Sequence, residues 1–183
     1  GDGQSDTLSG LGVATHVYRG AGERRISVDV EDEDGLHTGV AEKPVQVADV
    51  PPVIQLIGAP ASNEGEAYTL ALGEVVDPGN PDVPVTVSEY RVHWGDGTSS
   101  SYPATGSAAH VYQDGDFSAT IVVDLVTDAG IVRNAGAQPV SILNVAPTAW
   151  ITGLPAEAVE GTPMDLSALI TDPSPVDLAA GFA

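Results

Sequence analysis

The sequence predicts an all-β chain built from tandem β-sandwich repeats of about 95 residues. Three observations carry that prediction. Gly (21) and Pro (14) are spread through the 183 residues as turn punctuation, between segments rich in Val, Ile and Thr. Such a mixture disfavours helices and favours short strands. The apolar residues alternate with polar ones along several segments, the period-two signature of strands with one buried face. Finally, the chain repeats itself. Gly1-Asp2-Gly3 recurs as Gly95-Asp96-Gly97, and His16-Val17-Tyr18 as His110-Val111-Tyr112, both 94 residues later. Gly35 matches Gly130, and Val50-Pro51-Pro52 matches Val145-Ala146-Pro147, both 95 residues later.

A third copy starts in register, with Pro52–Gly58 aligning on Pro147–Gly153 and Asp77-Pro78 on Asp172-Pro173. Residues 1–50 therefore read as the back half of a repeat, 51–145 as a complete repeat, and 146–183 as the front of a further one. The boundaries, 47–53 and 143–148, are short and contain proline, which makes semi-rigid linkers. The absence of an initial Met or a leader segment fits a piece of a longer protein.

Within the complete repeat, strands are expected over 53–57, 67–76, 88–94, around 100–102, 117–126 and 131–142. In the third of these Tyr90, Val92 and Trp94 share one face. In the fifth, Phe117, Ala119, Ile121, Val123 and Leu125 point inward, matched in the first copy by Ile26, Val28 and Val30. Asp29 and Asp124 fall on the opposite face, where water is expected to reach them. The Gly95-Asp96-Gly97 run is a tight turn, with Asp96 expected to bind backbone amides inside it.

Charge narrows the function. Asp and Glu total 26 against 6 Lys and Arg, a net charge of −20. That argues against nucleic-acid partners and against docking on anionic lipid. No apolar run approaches the length of a membrane helix, so no membrane insertion is expected in this segment. Cysteine is absent, which excludes disulfides, thiolate metal sites and a cysteine nucleophile.

The residues Tyr90–Gly97, then His110-Val111-Tyr112, then Gly115-Asp116-Phe117, then the alternating run 123–130 resemble the PKD (polycystic kidney disease) repeat. Both partial copies share parts of the pattern. Val92 and His93 depart from the Trp and Asp of that family's motif, and Arg24 stands where an aromatic belongs. The resemblance implies a seven-stranded immunoglobulin-like sandwich, an extracellular or cell-surface location and a non-catalytic role.

The remaining motifs support no enzyme. His16 and His110 repeat with the module, ahead of the same Tyr, and read as part of its internal contacts. His37 and His93 have no repeated partner, and the four histidines lack metal-ligand spacing. The serines near Thr98 sit in no nucleophile elbow.

Calcium is the chemical expectation. Hard cations take carboxylate, amide and backbone oxygens. Asp77, Asn80 and Asp82 lie on one loop, and Asp172 and Asp177 occupy matching places in the next copy. Because sandwich strands alternate up and down, the end of one copy carrying Glu64 meets the loop end of the next. Glu64 and Asn144 are thereby expected to face Asp172 and Asp177, Asp49 to face the 77–82 loop, and Asp128 to approach that loop within one domain. The competing reading is ordinary solvated loop acids and Asx turns.

The expected function is structural: stacked sandwiches forming a stiff, calcium-rigidified stalk that presents other domains or mediates adhesion, with neighbouring repeats as partners. The alternative is an accessory module of a secreted hydrolase that binds polysaccharide or protein. Only Trp150 stands out as an outward aromatic for that role. Half a sandwich exposes its inner face, so the partial copies are expected to be covered by one another, within a chain or between chains.

Overall fold

The computed structural model describes residues 1–10 and 12–182; Ala183, the last residue of the expected third copy, lies outside them. The chain is all-β apart from one short helix, and its several sheets are consistent with a β-sandwich. It divides into two compact units: residues 1–53 with 75–85, and residues 54–74 with 86–183.

The first unit holds a long antiparallel ribbon of β1 (Gly22–Asp32) and β2 (Gly35–Val47). Alternation makes Ile26, Val28 and Val30 one face of β1, but they remain 40%, 46% and 45% exposed. Asp29, on the other face, accepts a 2.7 Å bond from the Gly39 amide. Gly39 has a φ of 63°, the left-handed conformation that glycine adopts without strain.

The second unit contains two sheets and a hairpin. The larger sheet comprises β4 (Ala61–Asn63), β6 (Val87–His93), β7 (Ser99–Tyr102), β9 (Phe117–Thr127) and β10 (Gly130–Leu143), in the order β4-β10-β9-β6-β7. The smaller comprises β3 (Val53–Gly58), β5 (Ala67–Val76) and β8 (Gly106–Val111), in the order β3-β5-β8. Both turn alternating apolar residues inward. Val92, Trp94, Ile121, Val123, Leu125 and Ile142 from the first meet Ile54, Tyr68, Leu70 and Leu72 from the second as the buried core. Fully burying one such side chain contributes about 1.5–3 kcal/mol. Phe117, the first residue of β9, is only half-buried and meets the buried Tyr112 ring edge-on at 6.1 Å.

The predicted strands lie where alternation put them, to within a residue or two, and two were missed. β4 has only three residues, too few for a pattern, and pairs in parallel with β10. β8 carries Gly106-Ser107-Ala108-Ala109, a small-residue run with no apolar alternation, and is a strand because it pairs with β5.

One expectation is corrected. Asp124 is on the outer face, as its parity requires, but is only 5% exposed. A bulge in β10 between Val132 and Gly136 folds over it, and the Asn134 amide donates to its carboxylate at 2.8 Å. His93 at 3.3 Å and Arg133 at 3.7 Å complete the surroundings. Burial pushes the Asp124 carboxyl up, but the Asn134, His93 and Arg133 partners outweigh it and hold the group below its usual range. Asn134 has a φ of 55°, matching Gly39 ninety-five residues earlier. The Asp29–Gly39 and Asp124–Asn134 bonds are one device used twice.

The hairpin of β11 (Thr148–Thr152) and β12 (Ser167–Thr171) follows, then α1 (Pro175–Ala180). β1 pairs with β2 and β11 with β12, each pair making its own two-stranded sheet. Ile151 and Leu166 stay exposed, as does Trp150 opposite Leu169.

Candidate functional site

Two arrangements of polar side chains stand out. The first is an Asp-His-Tyr latch that occurs twice. His110 approaches the Asp96 carboxylate at 2.7 Å, and His16 approaches Asp2 at the same distance. Each histidine ring meets the following tyrosine edge-on, His110–Tyr112 at 4.7 Å between centroids and His16–Tyr18 at 4.6 Å. His110 also stacks flat on Trp94, and the buried Tyr112 hydroxyl donates to the Trp94 carbonyl at 2.9 Å.

Asp96 accepts from both the amide and the hydroxyl of Thr98, closing the Gly-Asp-Gly turn. Burial raises its carboxyl, yet the Thr98 and His110 bonds together hold it below the usual range. Asp2 is held down mainly by its bond to His16. The spacing of Asp to His, 14 residues in both copies, was legible in the sequence. Around Asp96 the latch ties the Gly-Asp-Gly turn to the end of β8, and its members are committed to one another.

The second arrangement lies between the turn after β4, the segment around 143–145 and the loop after β12. β4 ends at Asn63, and the chain turns so that Glu64 is fully buried. Its amide donates to the Leu143 carbonyl at 3.0 Å, and Gly65 donates to Tyr112 at 2.8 Å. One carboxylate oxygen, Oε1, accepts the Val145 amide of the linker at 2.7 Å. The other, Oε2, has no hydrogen-bond partner. A Cβ on Gly115 would sit 2.8 Å from that oxygen and 2.6 Å from the Asn144 Cα, so only glycine fits there.

The opposite wall is the loop after β12. Asp172, 9% exposed, uses Oδ1 to accept the Ser174 amide at 2.8 Å and leaves Oδ2 without a partner. Ser174 is fully buried. It caps α1 by accepting the Asp177 amide and donates its hydroxyl to the Gln113 carbonyl at 3.1 Å. That cap holds Asp177 against the site. One carboxylate oxygen each of Glu64, Asp172 and Asp177 lies within 4.8 Å of the others.

Glu64, Asp172 and Asp177 are thus brought together. Among the described residues theirs is the one group of three acidic or histidine side chains spaced for a metal ion. Asp77, Asp82 and Asp128 belong to no such group. Asp77 spends Oδ1 on the Gly79 and Asn80 amides, an Asx turn. The Asp77–Gly79 and Asp172–Ser174 bonds, 95 residues apart in the sequence and both 2.8 Å, are the same side-chain-to-amide contact. Ser174 was not singled out in the sequence, although Ser followed by Pro at a helix start is a capping signature.

Compared with known protein families and with curated proteins, the sequence matches none.

Proposed function

We propose that this chain is a segment of a tandem array of PKD-type, immunoglobulin-like sandwiches, acting as a non-catalytic spacer at the cell surface or in a secreted protein. The observation that carries the reading is the bonded junction between the complete copy and the next. The Ser174–Gln113 bond joins the following copy to the complete one, while the Glu64–Val145 bond fixes the linker. Glu64 and Ser174 are both buried, so water reaches these part-buried bonds from one side only. A linker of a few proline-bearing residues braced on both sides transmits orientation from one sandwich to the next. That is what a stalk requires and a flexible tether does not. The repeated Asp-His-Tyr latch and the repeated Asp–amide bulge support the modular reading, because the same local devices rebuild each copy. The extracellular placement rests on the PKD resemblance.

Backbone relaxation by NMR on the full chain tests the proposal. The β11–β12 hairpin is expected to tumble with the same correlation time as β9–β10. A distinctly shorter correlation time for the hairpin would reject a rigid junction.

A further inference from the structure

We propose that Glu64, Asp172 and Asp177 form a site for one divalent hard cation, Ca2+, seated across the junction. The inference deepens the spacer reading and rests on it for its consequence, a metal-locked linker. Its chemistry rests on the carboxylates alone.

Two independent features point to a ligand. The three carboxylates converge to within 4.8 Å of one another, and among the described residues none of them makes a salt bridge to Arg, Lys or His. Two of the three also present a buried oxygen with no partner: Oε2 of Glu64, whose residue is fully buried, and Oδ2 of Asp172, whose residue is nine-tenths buried. Buried polar atoms are nearly always satisfied, and leaving carboxylate oxygens bare costs free energy. In each of these residues the second oxygen already braces the backbone, Val145 in one case and Ser174 in the other. One oxygen for the loop and one for a ligand is how a coordinating carboxylate is held in place.

The donor set selects the ion. All three side chains are carboxylates, with no His or Cys, which suits Ca2+ or Mg2+ over zinc or copper. Oxygens on opposite sides of Ca2+, each at 2.3–2.6 Å, lie about 4.6–5.2 Å apart at most, so a spread within 4.8 Å fits one ion. Ca2+ also accepts the irregular geometry of ligands drawn from two separate loops. Mg2+ demands a near-octahedral shell and gives up water reluctantly. A bound ion would neutralise the mutual repulsion of the acids and tie Glu64 of one copy to Asp172 and Asp177 of the next. In the sequence the loop's acids recur 95 residues earlier as Asp77 and Asp82.

The test is calorimetric titration of CaCl2 into the chelator-treated full chain at about 0.15 M salt, which screens weak binding to the exposed acids. One tight site is expected, with Mg2+ weaker. Asp172→Asn, Asp177→Asn and Glu64→Gln are each expected to weaken it by at least about tenfold, and Asp77→Asn to leave it unchanged. No tight binding by the wild-type chain, or affinity unchanged in Asp177→Asn, overturns the proposal. Asp177 is half-buried and outside the core, so that variant reports on the site even if Glu64→Gln fails to fold. Repeating the relaxation measurement with and without CaCl2 separates the two readings. Common tumbling without tight binding removes the ion and keeps the spacer. Tight binding with independent tumbling does the reverse.

Discussion

Replacing Tyr112 by Phe removes one oxygen and nothing else, and the structure fixes what that oxygen does. The hydroxyl is fully buried and donates to the Trp94 carbonyl at 2.9 Å. The same Trp94 uses its amide to close the turn on Thr98 at 3.0 Å, so its backbone cannot move to find water without opening the Gly-Asp-Gly turn. The variant therefore leaves a buried acceptor bare, a loss of about 1–3 kcal/mol. The ring stays and no sizeable cavity forms, so the cost belongs to the hydrogen bond. Burial, helped by the charges of Asp96 and Tyr68, pushes the Tyr112 phenol well above its ordinary value. The sign follows directly. A phenol whose ionisation is harder in the folded state gives stability that is complete below about pH 10 and is lost as pH rises through the folded value. Urea unfolding of wild type and Tyr112→Phe is expected to show the full difference at neutral pH, with an unchanged m-value. Part of the alkaline loss should disappear in the variant. Tyr102→Phe is the control, because that hydroxyl is exposed and only 3.4 Å from the Ala109 carbonyl. It should shift stability by no more than about 0.5 kcal/mol. Equal costs for the two variants would refute the argument.

Other outcomes follow from the same geometry. Ile121→Ala empties a fully buried position and is expected to cost about 2–5 kcal/mol. Ile26→Ala, its counterpart on the open ribbon, should cost a small fraction of that; both are read from denaturant midpoints, and a costly Ile26→Ala would mean the ribbon face is covered in solution. Gly95→Ala should destabilise more than Gly97→Ala. Both glycines have positive φ, but a Cβ on Gly95 would lie 2.9 Å from the Thr120 carbonyl while Gly97 faces open space. Thermal melts that rank them the other way would contradict the close approach of turn and strand. Asp96→Asn should flatten the acid side of the stability profile. A depressed carboxyl contributes stability above its ordinary value near pH 4 that is lost as pH falls through the folded value. An unchanged acid midpoint would show that the latch carries no charge-dependent stability.

The long strands of residues 53–142, the inward sets on β6 and β9, and the sequence repeat itself were written in the sequence. Period-two alternation and tight-turn residues act over a few neighbours, and a repeated local pattern rebuilds the same local structure. The 14-residue spacing of Asp2 to His16 and of Asp96 to His110 belongs to the same class: it is short and repeated, and each pair closes on one 2.7 Å contact. What tertiary structure alone decided involves residues far apart in the chain. Asp124 is buried because a bulge in β10, a partner strand, folds over it. β8 is a strand because β5 offers it a ladder, although its own sequence opens with four small residues and shows no apolar alternation. Glu64 stands 108 residues before Asp172, and nothing near either in the sequence shows that their carboxylates come within 4.8 Å. Their meeting depends on how β4 ends, how the linker runs and how the next loop docks. Alternation marks Ile26, Val28 and Ile121 alike as inward. It cannot say that only Ile121 has a second sheet to face, because burial is a property of the partner surface as much as of the strand.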